Sequence, residues 1–430
     1  MGGMLQTIKN AWNIRDLRKR MIFTVLMLVV FRIGSHIPVP GLDAEKFRSL
    51  IEQGGQLFGF MDIIAGGAFS NVTIFAMSIT PYINSSIIMN LLTVAIPKLE
   101  QLAREGEEGR KVIAQYTRYG TVILGFIQAM ALYFGMRGAV NEGNAVLSFI
   151  TITLTFSAGT AFLMWLGEQI TEYGIGNGIS LIIFAGIVSR GPQGAITLGR
   201  LFIAGALGTG VYRIIAVLLI LLVFLAVIAA VIWVQEAERR VPVQYAKRVI
   251  GRKIYGGQNT HLPMKVNMAG VIPIIFAMSI MAFPSTIISL FAPGSTNPIV
   301  LWFKNMQQTM WYAVIYALLI IFFTFFYTMI QFNPLEVANN MKKNGGFIPG
   351  IRPGKPTADY IAKVLNRITW FGGLFLAAIT IFPHILGMIF KIQGIWFSGT
   401  AVLILVGVAM DTVKQIESHM LMRHYKGFLE

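Results

Sequence analysis

Apolar residues in this chain gather into runs of about 20, the length a helix needs to cross the hydrocarbon of a bilayer. Ten such runs lie near Met21–Pro38, Val72–Ile96, Tyr119–Met136, Val146–Trp165, Gly178–Val188 and beyond, Ile214–Val234, Ala269–Phe291, Trp311–Ile330, Ile368–Phe390 and Ile395–Met410. The fifth is the weakest, because Gly191, Pro192 and Gly194 interrupt it. One further apolar stretch, Phe58 to Phe69, holds Gly59, Gly66 and Gly67, and as a helix it would cover only about 15 to 18 Å. It is too short to cross. Short or non-helical backbone at membrane depth persists only where protein or water surrounds it, so the residues fit either a re-entrant element seated in a cavity or a surface loop with an amphipathic turn. Ahead of the first run, Leu5, Ile8, Trp12 and Leu17 fall roughly on one helical face, with Lys9, Arg15 and Arg18 elsewhere. That pattern fits an interfacial helix or a plain cytosolic lead.

The cations sort by side. With the N-terminus inside, the inner segments hold five (Lys9 to Arg20), five (Lys98 to Arg118), none, seven (Arg239 to Lys265), six (Lys342 to Arg367) and three (Lys414 to Lys426), which is 26 of the 35 basic residues. Cytoplasmic loops carry such an excess, so both termini are expected in the cytoplasm. Five spans per half is an odd number, so a two-half chain would insert its second half upside down relative to the first. The expected fold is therefore an all-α integral membrane protein of ten transmembrane helices in two inverted five-helix halves. Its expected segments are 1–20, a cytoplasmic or interfacial lead; 21–210, the first half, with a re-entrant element at 58–70; 211–412, the second half, with cytoplasmic loops 236–266 and 332–367; and 413–430, a cytoplasmic tail. The first run ends in Pro38, Val39, Pro40 and Gly41 rather than a small-residue cleavage site, so it is expected to be retained.

Composition agrees with lipid as the main solvent: 55% of residues are hydrophobic, 13% are charged, and mean hydropathy is +0.67. A net charge of +16 raises nucleic-acid binding, but the basic residues form islands between apolar runs rather than one face or arm. The absence of cysteine excludes disulfides and thiolate metal sites. Enzyme-like patterns fail on inspection. Gly350 to Thr357 suggests a phosphate loop, yet Pro349 stands where its first glycine belongs and Pro356 follows Lys355. Gly174, Gly176 and Gly178 follow no strand, and neither an HExxH pair nor a G-x-S-x-G elbow occurs. The spans hold few ionisable groups, against the needs of an ion-coupled transporter. Arg32 lies near the end of the first span and can snorkel outward, while Glu168, Glu172 and Asp411 fall near cytoplasmic ends. No cofactor or metal is expected. The two long basic loops serve orientation, and their clustered cations also suit an acidic or phosphate-bearing partner.

Several long strings then become specific. TPYINSSIIMNLL (Thr80 to Leu92), QYTRYGT (Gln115 to Thr121), ITEYGIGNGISLIIFAGIV (Ile170 to Val188), VQYAKR (Val243 to Arg248), HLPMKVNMAGVIPIIF (His261 to Phe276) and GFIPGIRPGKP (Gly346 to Pro356) resemble the SecY family, and together they span nearly the whole chain. The resemblance implies the channel-forming subunit of a bacterial Sec preprotein translocase. It implies an hourglass pore closed by Ile79, Ile83, Ile179, Ile183, Ile275 and Ile404, all isoleucine here. An apolar constriction dewets and blocks ions. The same resemblance makes Phe60, Met61, Asp62, Ile63, Ile64, Ala65, Gly66, Gly67, Ala68 and Phe69 a plug, and the second and seventh spans a lateral gate with Ile87, Asn90 and Ser279. It assigns docking of the SecA motor or the ribosome to Arg239, Arg240, Lys247, Arg248, Arg252, Lys253, Arg352 and Lys355. Implied partners are small SecE-like and SecG-like membrane subunits, the SecA ATPase, ribosomal RNA phosphates, preprotein signal sequences and the lipid bilayer. The implied location is the bacterial cytoplasmic membrane, and the implied protein is no enzyme. A secondary transporter of small solutes is the alternative from another class, and a membrane enzyme has no catalytic constellation behind it.

Overall fold

The computed structural model describes residues 4–47, 62, 65–141, 144–203, 211–245, 248–250, 253–255, 259–291, 297, 302, 309–390 and 399–426, and most of them are helical. The first part of the chain forms α1 (Met4–Asn13), α2 (Arg15–Gly34), α3 (Thr80–Ala95), α4 (Pro97–Arg104), α5 (Glu107–Gly135), α6 (Ala145–Tyr173), α7 (Gly178–Ser189), α8 (Gly191–Ile203) and α9 (Val211–Glu236). Strands β1 (Glu238–Tyr245), β2 (Arg248–Ile250), β3 (Lys253–Tyr255) and β4 (Asn259–Lys265) follow. The remainder is α10 (Ile272–Phe291), α11 (Met310–Gln331), α12 (Pro334–Lys343), β5 (Gly346–Phe347), α13 (Lys355–Phe390) and α14 (Gly399–Lys426). Each expected span contains an apolar helix, in the order α2, α3, α5, α6, α7, α9, α10, α11, α13 and α14. Residues 391–398, where the tenth expected span begins, lie outside the described residues.

Local chemistry sets several boundaries. Asn144, Asn177 and Asn333 cap α6, α7 and α12 by accepting N–H groups of Val146, Ser180 and Leu335. The second span, expected as Val72–Ile96, is helical only from Thr80. Val72 and Ser78 both take φ of 51°, and Pro81 sits in the first turn of α3, where its missing N–H removes no helical bond. Residues 72–79 are turns instead. Gly191 and Pro192, read as an interruption, mark a short break: α7 ends at Ser189 and α8 starts at Gly191, with Pro192 tolerated in its first turn.

Two apolar clusters organise the membrane part. One gathers Phe31 of α2, the turn residues Phe69 to Ile79, Phe156 and Leu163 of α6, Ile182 and Ile187 of α7, and Ala401, Ile404 and Val408 of α14. The other gathers Ile87 of α3, Ile274 and Phe276 of α10, Ile320 and Phe323 of α11, Leu376 of α13, and Val402, Leu403 and Val406 of α14. Helix α14 thus presents one stripe to each cluster, at the three- and four-residue spacing of a helical face. Ile83, Val271, Met278 and Leu405 pack against both clusters, so the seam between them runs along α3, the start of α10 and α14. At one end of the molecule, Ala11 and Leu17 cluster with Ile175 and Ile416, which brings the two terminal regions to the same side.

The two long loops between spans carry strands that pair with each other. β1 pairs antiparallel with β4 from Glu238↔Lys265 to Gln244↔Asn259, and β5, from the other loop, adds at Gln244↔Phe347 and Tyr245↔Gly346. Val241 and Val243 alternate onto the buried face with Met264, Met341, Ile348, Ile361 and Leu365. The helical description holds for the membrane part, and these loops share one small sheet with its own core.

Candidate functional site

Residues 65–79 form a run of turns between apolar helices. Gly66 and Gly67 adopt φ of 64° and 89°, and Thr73 donates both its N–H and its hydroxyl to the Ala68 carbonyl. The segment is tied to the end of α2, with Val39 N–H donating to Val72 O and Ile74 N–H to Ile37 O. Phe75 stacks between Phe31 and Phe162, at ring separations of 6.2 and 5.8 Å. Ala65 and Ala68 are fully buried. Protein therefore surrounds the non-helical ribbon 65–79, one of the two settings in which such backbone is stable between spans.

Polar groups hold the ribbon at one end. Asp62 forms an ion pair with Arg190, at the close of α7, and its Oδ1 accepts Ser70 N–H at 2.7 Å. Arg190 also donates to Ser70 Oγ, and Arg32 Nη1 donates to Gly66 O at 2.8 Å. Ser189 Oγ donates to Gly66 O at 3.4 Å. A Cβ on Gly66 would lie 2.8 Å from Ser189 Oγ and 2.9 Å from Gly186 Cα, so the close approach of ribbon to α7 requires glycine. Arg32, read from the sequence as a snorkelling side chain, instead satisfies a ribbon carbonyl.

The isoleucines singled out in the sequence meet this ribbon unevenly. Ile79, Ile183 and Ile404 are buried in the same cluster as Ala65, Ala68 and Phe69, and Ile83 and Ile179 pack against it. Ile275 packs against the neighbouring cluster, which Ile83 also touches. Of the re-entrant residues, Asp62, Ala65, Gly66, Gly67, Ala68 and Phe69 are described, while Phe60, Met61, Ile63 and Ile64 lie outside the described residues.

At the seam, Ile87 of α3 is buried with Ile274, Phe276, Ala277 and Met281 of α10. Ser279 is half-buried and Asn90 is exposed, its backbone carbonyl accepting the Thr93 hydroxyl at 2.7 Å. Helix α10 also packs against α5, a neighbour that the sequence did not single out. α5 and α6 are joined at their polar ends by Arg118 and Glu168, 2.7 Å apart.

The basic residues divide by element. Arg239 and Arg240 are exposed on β1, where Arg240 pairs with Glu238 at 2.7 Å. Arg248 and Lys253 lie on the β2–β3 hairpin, in the pairs Arg248↔Tyr255 and Ile250↔Lys253. Lys247 and Arg252 lie outside the described residues. Arg352 and Lys355 are exposed where the chain enters α13, and Thr357 Oγ1 fixes that turn by donating to Arg352 O. The β1–β5 pairing makes one surface of two basic loops about a hundred residues apart.

Among the described residues no group of three or more His, Cys, Asp and Glu is placed to hold a metal ion. Similarity to known proteins is extensive. A family model described as SecY matches residues 73–413. The protein translocase subunit SecY of Halalkalibacterium halodurans is 49% identical, over 99% of this chain and all of the relative. The solved structure of a protein-conducting channel superposes with a TM-score of 0.61 at 18% identity, covering 93% of this chain and 92% of the other. A second solved structure, of a SecY protein whose plug domain stabilises the closed state of the translocation channel and maintains a membrane seal, superposes with a TM-score of 0.59 at 19% identity over the same shares.

Proposed function

The chain belongs to the SecY family, the channel-forming subunit of a protein translocase, and we propose that Phe60 to Phe69 is its plug, lying below a constriction formed by Ile79, Ile83, Ile179, Ile183, Ile275 and Ile404. The observation that carries this reading is the burial of Ala65, Ala68 and Phe69 in one cluster with Ile79, Ile183 and Ile404. A ring of branched apolar side chains excludes ions by dewetting when closed. It offers an extended polypeptide no fixed hydrogen-bond partners when open, so an unfolded chain can slide through whatever its sequence. The relative with a plug that maintains a seal supports the same assignment.

Conduction by such a pore is passive, and the subunit is not itself an enzyme; work comes from a partner. The basic surface built from β1, the β2–β3 hairpin and the Arg352 turn would meet acidic side chains of a SecA motor or ribosomal RNA phosphate through charge-assisted contacts. Small SecE-like and SecG-like subunits would complete the assembly in the bacterial cytoplasmic membrane. The seam between α3 and α10 would be the lateral gate, through which a signal sequence or hydrophobic segment leaves for lipid. Polar contacts between membrane helices contribute only about 0.6 to 2 kcal/mol, so a hydrophobic segment can replace them.

Reversing Arg352 to Glu tests the docking assignment. Vesicles holding the variant and supplied with SecA and ATP should take up preprotein several-fold more slowly than wild type, while the protein still inserts and elutes as wild type does. One charge among the six of that loop does not overturn topology. Normal uptake would reduce the loop to an orientation signal.

A further inference from the structure

We propose that one ordered water molecule is held between α11 and α13 by the hydroxyls of Tyr316 and Thr380 and the carbonyl of Ile379. Tyr316 is 8% exposed and Thr380 7%, and among the described residues neither hydroxyl has a hydrogen-bond partner. A hydroxyl left unpaired in such surroundings is costly. The two residues face each other. α11 and α13 run antiparallel, with Phe325 against Trp370 at 5.2 Å, and a Cβ on Gly373 would lie 3.6 Å from Ile321 Cα and from Thr324 Cβ. From that crossing Thr380 is two turns onward along α13 and Tyr316 about two turns back along α11, each about 10 Å away, so both stand at one level. They also lie on the facing stripes: Tyr316, Ile320 and Thr324 recur at four-residue spacing on α11, and Gly373, Leu376, Ala377 and Thr380 recur at three and four on α13, all buried.

A third polar group meets them there. Pro383 lies inside α13 and brings no N–H to the Ile379 carbonyl four residues back. That carbonyl is turned toward the start of α14, since a Cβ on Gly399 would collide with Ile379 O and lie 3.0 Å from Thr380 Cα. In a membrane span, a carbonyl freed by proline is satisfied again by a neighbouring helix, a hydroxyl or an ordered water. Thr380 also departs from its kind. Thr324, Thr369 and Thr412 each donate to the carbonyl four residues back in their own helix, and Thr380 does not. Its hydroxyl is left for a partner outside that helical turn.

Chemistry narrows the occupant to water. A buried water takes about two to four polar partners, and two hydroxyls, each able to donate and accept, with one carbonyl are such a set. A cation would need a carboxylate to offset its desolvation, and α10, α11, α13 beyond Arg367 and α14 up to Met410 contain neither Asp nor Glu. The bridge ties α11 to α13 through groups that neither helix satisfies alone. α11 in turn carries α10, with Phe276 edge-on to Phe323 at 5.5 Å, so the water pins the helix on which α10 rests.

The test is pulsed X-ray radiolysis of the purified full-length protein, with whatever subunits copurify, read by mass spectrometry. Radicals formed from a bound water oxidise the side chain beside it, so Tyr316 should be modified despite its burial. Phe323, as deeply buried on the same helix and without a polar atom, should stay unmodified. Thermal unfolding of variants gives a second readout. Tyr316→Phe and Thr380→Val should each lower the unfolding midpoint by a few degrees, and the double variant should lose clearly less than the sum, because either change releases the same water. Thr324→Val, whose lost hydroxyl bonds only its own helix, should unfold as wild type does. An unmodified Tyr316 in wild type overturns the proposal, and that comparison needs no variant to fold. Midpoints that rise or stay unchanged in Tyr316→Phe and Thr380→Val overturn it as well, since the hydroxyls would then have no partner to lose. A direct bond between the two hydroxyls would give the same non-additivity without modification of Tyr316, and that outcome also counts against the water.

Discussion

Deleting residues 58–69 should leave a protein that inserts and purifies normally but conducts ions in planar bilayers where wild type is silent. The ribbon contributes Ala65, Ala68 and Phe69 to the cluster that holds Ile79, Ile183 and Ile404, so its removal leaves the isoleucines facing an unfilled space. A narrower change should act in the same direction. Asp62 and Arg190 are 9% and 23% exposed in their ion pair, and removing one partner of a buried pair costs about 3 to 5 kcal/mol. Taken at the low end, that is roughly a hundredfold shift from seated toward unseated ribbon. Arg190→Gln and Asp62→Asn should therefore leak in a graded way, below the deletion and above wild type. The double variant should leak less than the sum of the two, because neither charge is left buried alone. Silent membranes with well-expressed deletion protein would remove the ribbon from any sealing role.

Crosslinking across the seam should stop secretion. Cysteines at Ile87 and at Ala277 sit on helices whose side chains share one cluster, and the chain has no native cysteine to compete. A short bridge there holds α3 against α10 whatever the motor does, so uptake should fall to background and return on reduction. Longer spacers should restore activity progressively. Placing one cysteine on α5 instead of α3 supplies a control, because α10 packs directly against α5. If short and long bridges inhibit alike, or neither inhibits, the opening lies elsewhere.

Different parts of this design were legible to different degrees. The spans were plain because an apolar run of bilayer length has few other uses, and the basic loops were plain because orientation depends on them. Residues 72–79 misled, since an apolar run reads the same whether it is helix or buried turn. Only the positive φ at Val72 and Ser78 separates the two, and neither residue type announces it. The isoleucines carried no signal of their own in spans rich in isoleucine; family strings singled them out. Arg32 and Arg190 could have been noticed, since a cation in or beside an apolar span needs a partner. Their partners, Gly66 O and Asp62, lie 34 and 128 residues away in sequence, beyond the reach of local pattern. The sheet joining the two loops escaped for the same reason. Val241 and Val243 do alternate, but Pro242 and Pro263 within the paired strands read as turn signals, and the two-residue β5 has no signature at all.

The most direct measurement of the central claim is uptake of a preprotein by vesicles reconstituted with the purified complex, SecA and ATP, scored by protection from external protease. The account predicts full-length, protease-protected preprotein that depends on SecA and on an intact signal sequence, from vesicles that show no counterflow of small solutes. Counterflow of solutes without protected preprotein would contradict it and make the molecule a transporter.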